Sequence, residues 1–140
     1  MFIPEFRNRL SIYKISIVYY IVHMSGFGTH IRALREQLSN ESKEYSVRKV
    51  AVKIGVEPAF LSKVEREIVP PPSEAKIIAL AEVLGADKDV LLAMAGKVSS
   101  DLLQVITQRP ALFAELIRNL KEEPDHAVLR IVREVKDGDW

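Results

Sequence analysis

The stretch that most constrains this chain is VRKVAVKIGVEPAFLSKVER, residues 47 to 66, in which a glycine separates two short runs that are each patterned like a helix. Apolar side chains at Val50, Ile54, Val56, Leu61 and Val64 surround a small Ala51 and the turn residue Gly55. Two helices that meet at a steep angle across a turn of about three or four residues need a small residue where their backbones approach, and a glycine where φ becomes positive. Ala51 and Gly55 supply both. Leu61 and Val64 then anchor the second helix, which leaves Pro58, Ala59, Ser62, Lys63 and Arg66 to face outward as a reading surface.

The same period continues along the chain. From Ser25 onward apolar residues recur at helical spacing and nothing alternates with the period of a strand, so the body is expected to be all α. Phe27, Ile31, Leu34 and Leu38 form one face; Val47, Val50, Ala51 and Ile54 form the next; Leu61 and Val64 follow, then Ile77, Leu80, Ala81 and Leu84. A fifth helix is predicted from Asp87, a suitable N-cap, through Val90, Leu91 and Met94 to a terminating Gly96. These five helices are expected to make one unit over residues 25–96. SNESKEYS, residues 39–46, reads as the polar loop between the first two helices, and PPPS before Glu74 as a stiff lead-in to the fourth.

Residues 97–140 form a C-terminal helical region in which three more helices are expected. Ser99 or Ser100 suits a cap, and Pro110 and Pro124 suit first turns. Leu112, Phe113, Leu116, Ile117 and Leu120 make one apolar stripe, and Val128, Ile131, Val132 and Val135 make another. Such stripes need cover, from an intramolecular hairpin folded on the body or from a dimer partner. Residues 1–24 are an extension whose apolar run, Ile15 to Val22, is far shorter than the roughly 20 residues of a membrane-spanning helix. It reads either as an arm that packs on the body or a partner, or as a mis-assigned start ahead of Met24; no membrane association is expected.

With 140 residues and no cysteine, the chain is long enough for a core of its own and has no thiol for disulfides, thiolate catalysis or zinc, which suits the cytoplasm. The net charge of +1 conceals local clustering. Residues 46–66 carry Arg48, Lys49, Lys53, Lys63 and Arg66 against Glu57 and Glu65, whereas residues 101–140 carry six basic and eight acidic groups. The basic stretch is the one with the helix pair, the local pattern expected of a nucleic-acid contact.

IRALRE in the first helix, SVRKVAVKIGVEPAFLSKVER across the pair, PPPSEAKIIALAEVLG in the fourth and DKDVLLAMAG in the fifth together resemble the helix-turn-helix regulators of the Cro and phage-repressor type, the xenobiotic-response-element family. The resemblance spans roughly Phe27 to Gly96. It implies a five-helix, lambda-repressor-like DNA-binding domain that is usually dimeric, places its third helix in the major groove and performs no catalysis. Carried over by position, it implies base contacts from Pro58, Ala59, Ser62 and Lys63, with Lys63 suited to guanine O6 and N7 and the methyl of Ala59 to a thymine methyl. Ser46, Arg48, Lys49 and Arg66 are the implied phosphate contacts.

Two positions depart from the family pattern. Glu57 stands where a capping serine, threonine or aspartate is usual, and Glu67 stands where a glycine normally ends the third helix. Glu65 is expected to be structural, reaching a helix terminus or a basic neighbour. The three histidines, His23, His30 and His126, have no metal-ligand spacing, and SSDLL is no nucleophile elbow, so neither metal, cofactor nor enzyme is expected. GFG at Gly26–Gly28 is too short for a phosphate loop and is expected only to free the chain ahead of the first helix. The resulting expectation is a transcriptional regulator, most simply a repressor that binds an inverted repeat in double-stranded DNA as a homodimer, with a protein partner or regulatory protease as its control. The alternative is an antitoxin-like interaction protein whose C-terminal helices hold a partner while DNA binding serves autoregulation.

Overall fold

The computed structural model describes residues 26–140, so the alternatives for residues 1–24, and His23 with them, lie outside the described residues. Among the described residues the chain is all α. Helix α1 spans Phe27–Ser39, a 3₁₀ turn spans Lys43–Tyr45, and α2 (Val47–Ile54), α3 (Pro58–Glu65), α4 (Glu74–Leu84) and α5 (Lys88–Met94) follow. Then come α6 (Ser100–Gln108), α7 (Pro110–Leu120) and α8 (Asp125–Asp137). The described residues divide into two compact units, one ending at Ser99 and the other spanning Ser100–Trp140.

The ends of the helices follow local chemistry. Ser46 Oγ accepts from Lys49 N at 3.2 Å at the start of α2, and Asp87 Oδ1 accepts from Asp89 N at 2.8 Å at the start of α5. Gly55, Gly85 and Gly96 each take positive φ just past a helix, and the following residue reaches back to bond a carbonyl five positions earlier, so that the last carbonyls are satisfied. The polar loop of residues 39–46 is more ordered than its composition suggested. Ser42 caps the 3₁₀ turn through Glu44 N, and Tyr45 packs against the core.

The first unit holds the interior. Phe27, Ile31, Val50, Ala51, Ile54, Leu61, Val64, Ile77, Leu80, Ala81, Leu84, Leu91 and Leu92 are buried, with Leu34, Leu38, Val47 and Val56 partly buried around them. A fully buried Leu or Ile is worth about 1.5–3 kcal/mol, so this cluster can carry a small domain. The glycines of GFG have another role than the one expected of them. A Cβ at Gly28 would run into the carbonyl oxygen of Val64, and one at Gly26 would run into Oε1 of Glu67. Gly28 has to be small because α1 starts directly against the backbone at the end of α3, whereas the Glu67 carboxylate beside Gly26 is free to turn aside.

The second unit has no buried residue. Its stripes lie where the spacing placed them, yet Leu112 is 64%, Ile117 58%, Val132 56% and Val135 60% exposed. Pro110 opens α7 as expected, whereas Pro124 takes the cap position one residue ahead of α8. Ser100 begins α6; Ser99, one residue before it, is buried with its Oγ unbonded, so Ser99 makes no cap hydrogen bond. None of the described helices is long and apolar enough to cross a membrane.

His30 is buried in α1, and burial pushes its pKa below the ordinary histidine value of 6.5. The unfolded chain therefore takes up this proton first as pH falls, and stability contributed by neutral His30 is full above pH 6.5 and declines below it. Urea unfolding midpoints should drop between pH 7.5 and 5.5, a window above most carboxylate titrations. In His30→Leu the drop should be smaller over the same window.

Candidate nucleic-acid interface

Helices α2 and α3 pack on each other across a turn in which Gly55 has φ +75° and ψ +41°. Val56 N donates to Ala51 O at 3.0 Å and Gly55 N to Val52 O at 3.2 Å, which closes α2 and redirects the chain. Ala51 is fully buried. Glu57 occupies the cap position of α3 and accepts from Leu61 N through its backbone carbonyl, but its side chain makes no cap bond. Pro58 opens the helix with the fixed φ that a first turn needs and without an N–H that would be left unpaired.

The inner face of α3 is Leu61, Val64 and Glu65, all buried. Ala59 and Lys63 are exposed on the other side, and Pro58 and Ser62 are half-buried between the two faces. Arg66 is exposed and its Nε donates to Ser62 O at 3.3 Å, which folds the side chain back along the helix. At the start of α2, Ser46 is committed as an acceptor to Lys49 N, and Arg48 and Lys49 are exposed. Glu44 shares its carboxylate with Lys49 at 3.5 Å and Lys53 at 3.7 Å; Lys53 also donates to Glu44 O and lies 5.1 Å from the centre of the Tyr45 ring. Lys53 is thus held by the loop.

Three contacts that cross the sequence mount α3 on its neighbours. At its last residue, the buried Glu65 carboxylate accepts from Arg35 Nε at 2.6 Å and from Nη2 at 3.0 Å, and Arg35 Nη1 also donates to Tyr45 O at 3.2 Å. Glu65 is therefore structural, as expected, and its basic neighbour is on α1. At the far end, Glu67 adopts φ +60° in place of glycine and still makes the helix-closing pattern, with Ile68 N on Lys63 O and Glu67 N on Val64 O, both at 3.0 Å. Its carboxylate accepts from Thr29 Oγ1 at 3.3 Å and lies beside Gly26, at the positive end of α1, which has no side-chain cap of its own. At the near end, Lys76 of α4 bonds the turn carbonyls of Ile54 and Gly55.

Arg35, Thr29 and Lys76 were not marked by any local signal. An arginine at 7% exposure was the one available clue, and that is a property of the fold, not of the sequence. Among the described residues no cluster of His, Cys, Asp or Glu has the arrangement of a metal site.

Two short helices set at the turn of Gly55, the second buried on one side and presented on the other, define a helix-turn-helix. Residues 27–94 match the family model described as a helix-turn-helix domain, which supports placing this part of the chain in a DNA-binding helix-turn-helix family. No curated protein and no solved structure matches the chain.

Replacing Glu65 by Ala leaves a buried arginine without its partner, a loss of about 3–5 kcal/mol. Denaturant unfolding should show it as a lower midpoint. The double variant Arg35→Met/Glu65→Leu should recover most of that loss, because it removes both buried charges together.

Proposed function

We propose that this protein is a sequence-specific, DNA-binding transcriptional regulator of the Cro and phage-repressor type, acting in the cytoplasm without catalysis, and most simply a repressor that binds an inverted repeat as a homodimer. The observation that carries this reading is the outward face of α3, which is exposed at Ala59 and Lys63 while the opposite face is locked by Leu61, Val64 and the Arg35–Glu65 pair. In the major groove, Lys63 donates to guanine O6 or N7, Ser62 bonds a base edge, and Pro58 and Ala59, which have no polar side-chain atom, meet thymine methyls. Ser46, Arg48, Lys49 and Arg66 take phosphates and set position more than sequence preference. Glu44 is a local competitor for Lys49, released when a phosphate replaces it.

In a dimer the two α3 helices lie about 34 Å apart on one face of the duplex. The open stripes of α7 and α8 are the surface such a dimer uses. A second reading draws on the same stripes: an antitoxin-like protein whose C-terminal helices hold a partner, with DNA binding for autoregulation. Control by a protein partner or a protease fits either reading.

Fluorescence anisotropy on a duplex from the region upstream of the gene, at two salt concentrations with random-sequence competitor, tests the first reading. Binding should survive competitor, and Lys63→Ala should weaken it by about 1–3 kcal/mol. Arg48→Ala should reduce the salt slope by about 0.9. Sedimentation equilibrium should show a dimer that Ile117→Asp dissociates. A monomer that sediments alone, binds no duplex and captures a partner through residues 97–140 would favour the second reading.

A further inference from the structure

We infer that Lys76, on a helix outside the helix-turn-helix pair, is a positioning residue that sets the angle of α3 and thereby determines sequence discrimination without touching DNA. The inference rests on the reading of α3 as the helix that enters the groove.

Lys76 is half-buried in the first turn of α4 and its Nζ donates to Ile54 O at 2.9 Å and to Gly55 O at 3.1 Å. Those two carbonyls are the hinge of the motif. The last carbonyls of a helix have no intrahelical donor; in α2, Ala51 O and Val52 O are taken by the turn amides, and Lys76 supplies a donor to Ile54 O. The ammonium also faces the negative end of the α2 dipole, where a positive charge is favoured. A Cβ at Gly55 would lie 2.9 Å from Nζ, which the flexible lysine could relieve by turning, so it is the positive φ that calls for glycine here.

The clamp has a rigid base. One residue past Lys76, Ile77 is fully buried, and Leu80, Ala81 and Leu84 continue the same buried face of α4. Two residues past Gly55, the chain enters α3 at a cap position where the Glu57 side chain makes no cap hydrogen bond. The start of α3 thus depends on the turn carbonyls for its direction, and Lys76 ties those carbonyls to the core. Nonspecific attraction to phosphates tolerates a small tilt of α3, because point charges remain close to the backbone. Hydrogen bonds to base edges do not, because they require fixed distances and directions.

The test uses the full chain and duplexes selected by the wild type from a random-sequence pool, with the unselected pool as nonspecific probe. Lys76→Met should lower affinity for the selected duplexes by about tenfold or more while changing affinity for the unselected pool by less than about twofold. The salt slope should stay unchanged, and Lys76→Arg should recover most of the discrimination. Val83→Ala, on the far part of α4, controls for lost stability and should leave the ratio of the two affinities intact. The inference is overturned if Lys76→Met lowers both affinities in parallel, as a merely less stable domain would, or if its salt slope falls by about 0.9, as a direct phosphate contact would. If the wild type selects nothing from the pool, the DNA-binding reading fails and the inference fails with it; if it selects but Lys76→Met discriminates as well as wild type, the inference alone fails.

Discussion

The buried contact between Arg35 and Glu65 is the constraint on which the arrangement of the first unit depends. Taking two charges out of water costs several kcal/mol for each, and their attraction repays this only when geometry is good and further hydrogen bonds use the remaining donors. Both conditions are met. The guanidinium meets the carboxylate through two nitrogens at 2.6 and 3.0 Å, and a third nitrogen reaches Tyr45 O at 3.2 Å. One side chain of α1 therefore ties together the 3₁₀ turn ahead of α2 and the inner face of α3. A purely apolar contact would hold these elements together as firmly but allow them to slide, whereas a two-nitrogen bond admits one rotation of α3 about its axis. That rotation decides which side chains remain outside.

Around this contact the local rules are relaxed in ways that the tertiary structure compensates. Glu57 is a poor cap, and the near end of α3 is held by Lys76 on the preceding carbonyls instead. Glu67 is a poor residue for φ +60°, where a side chain costs on the order of 1 kcal/mol relative to glycine. Its carboxylate offsets part of that by facing the uncapped start of α1 and Thr29. Close approach of the backbone there is what excludes a side chain at Gly28. Departures from local preference concentrate about α3, which is where a binding helix must be held against its own tendency to move.

The two units follow different economies of burial. The first unit has an interior of Leu, Ile and Val side chains contributed by all five of its helices. The second has amphipathic helices of the same quality by pattern but no buried side chain, and an acidic excess in place of the basic cluster of residues 46–66. Short helices are marginal in water without tertiary contacts. The faces of α7 and α8 are thus amphipathic and, among the described residues, exposed, and both readings of the function use them for association.

Much of this protein was legible in the order of its residues. Helical period located α1 to α4 and the stripes of α7 and α8, because a side chain buried on one face recurs every three or four positions, and cap and first-turn residues placed the rest. Asp87, Gly55 and Gly96 announced helix ends, since capping is a contact between residues two to five apart and its chemistry is local. The outward set on α3 followed from its inward set by subtraction. What the sequence left undetermined was every contact that spans the chain: Arg35 with Glu65, 30 residues apart; Thr29 with Glu67, 38 apart; Lys76 with Ile54, 22 apart. An arginine, a threonine and a lysine at exposed-looking positions have no pattern that distinguishes a clamp from a solvated side chain. The difference arises only when packing brings a donor to an acceptor that no neighbour in sequence can satisfy, and that is settled by the meeting of helices in three dimensions.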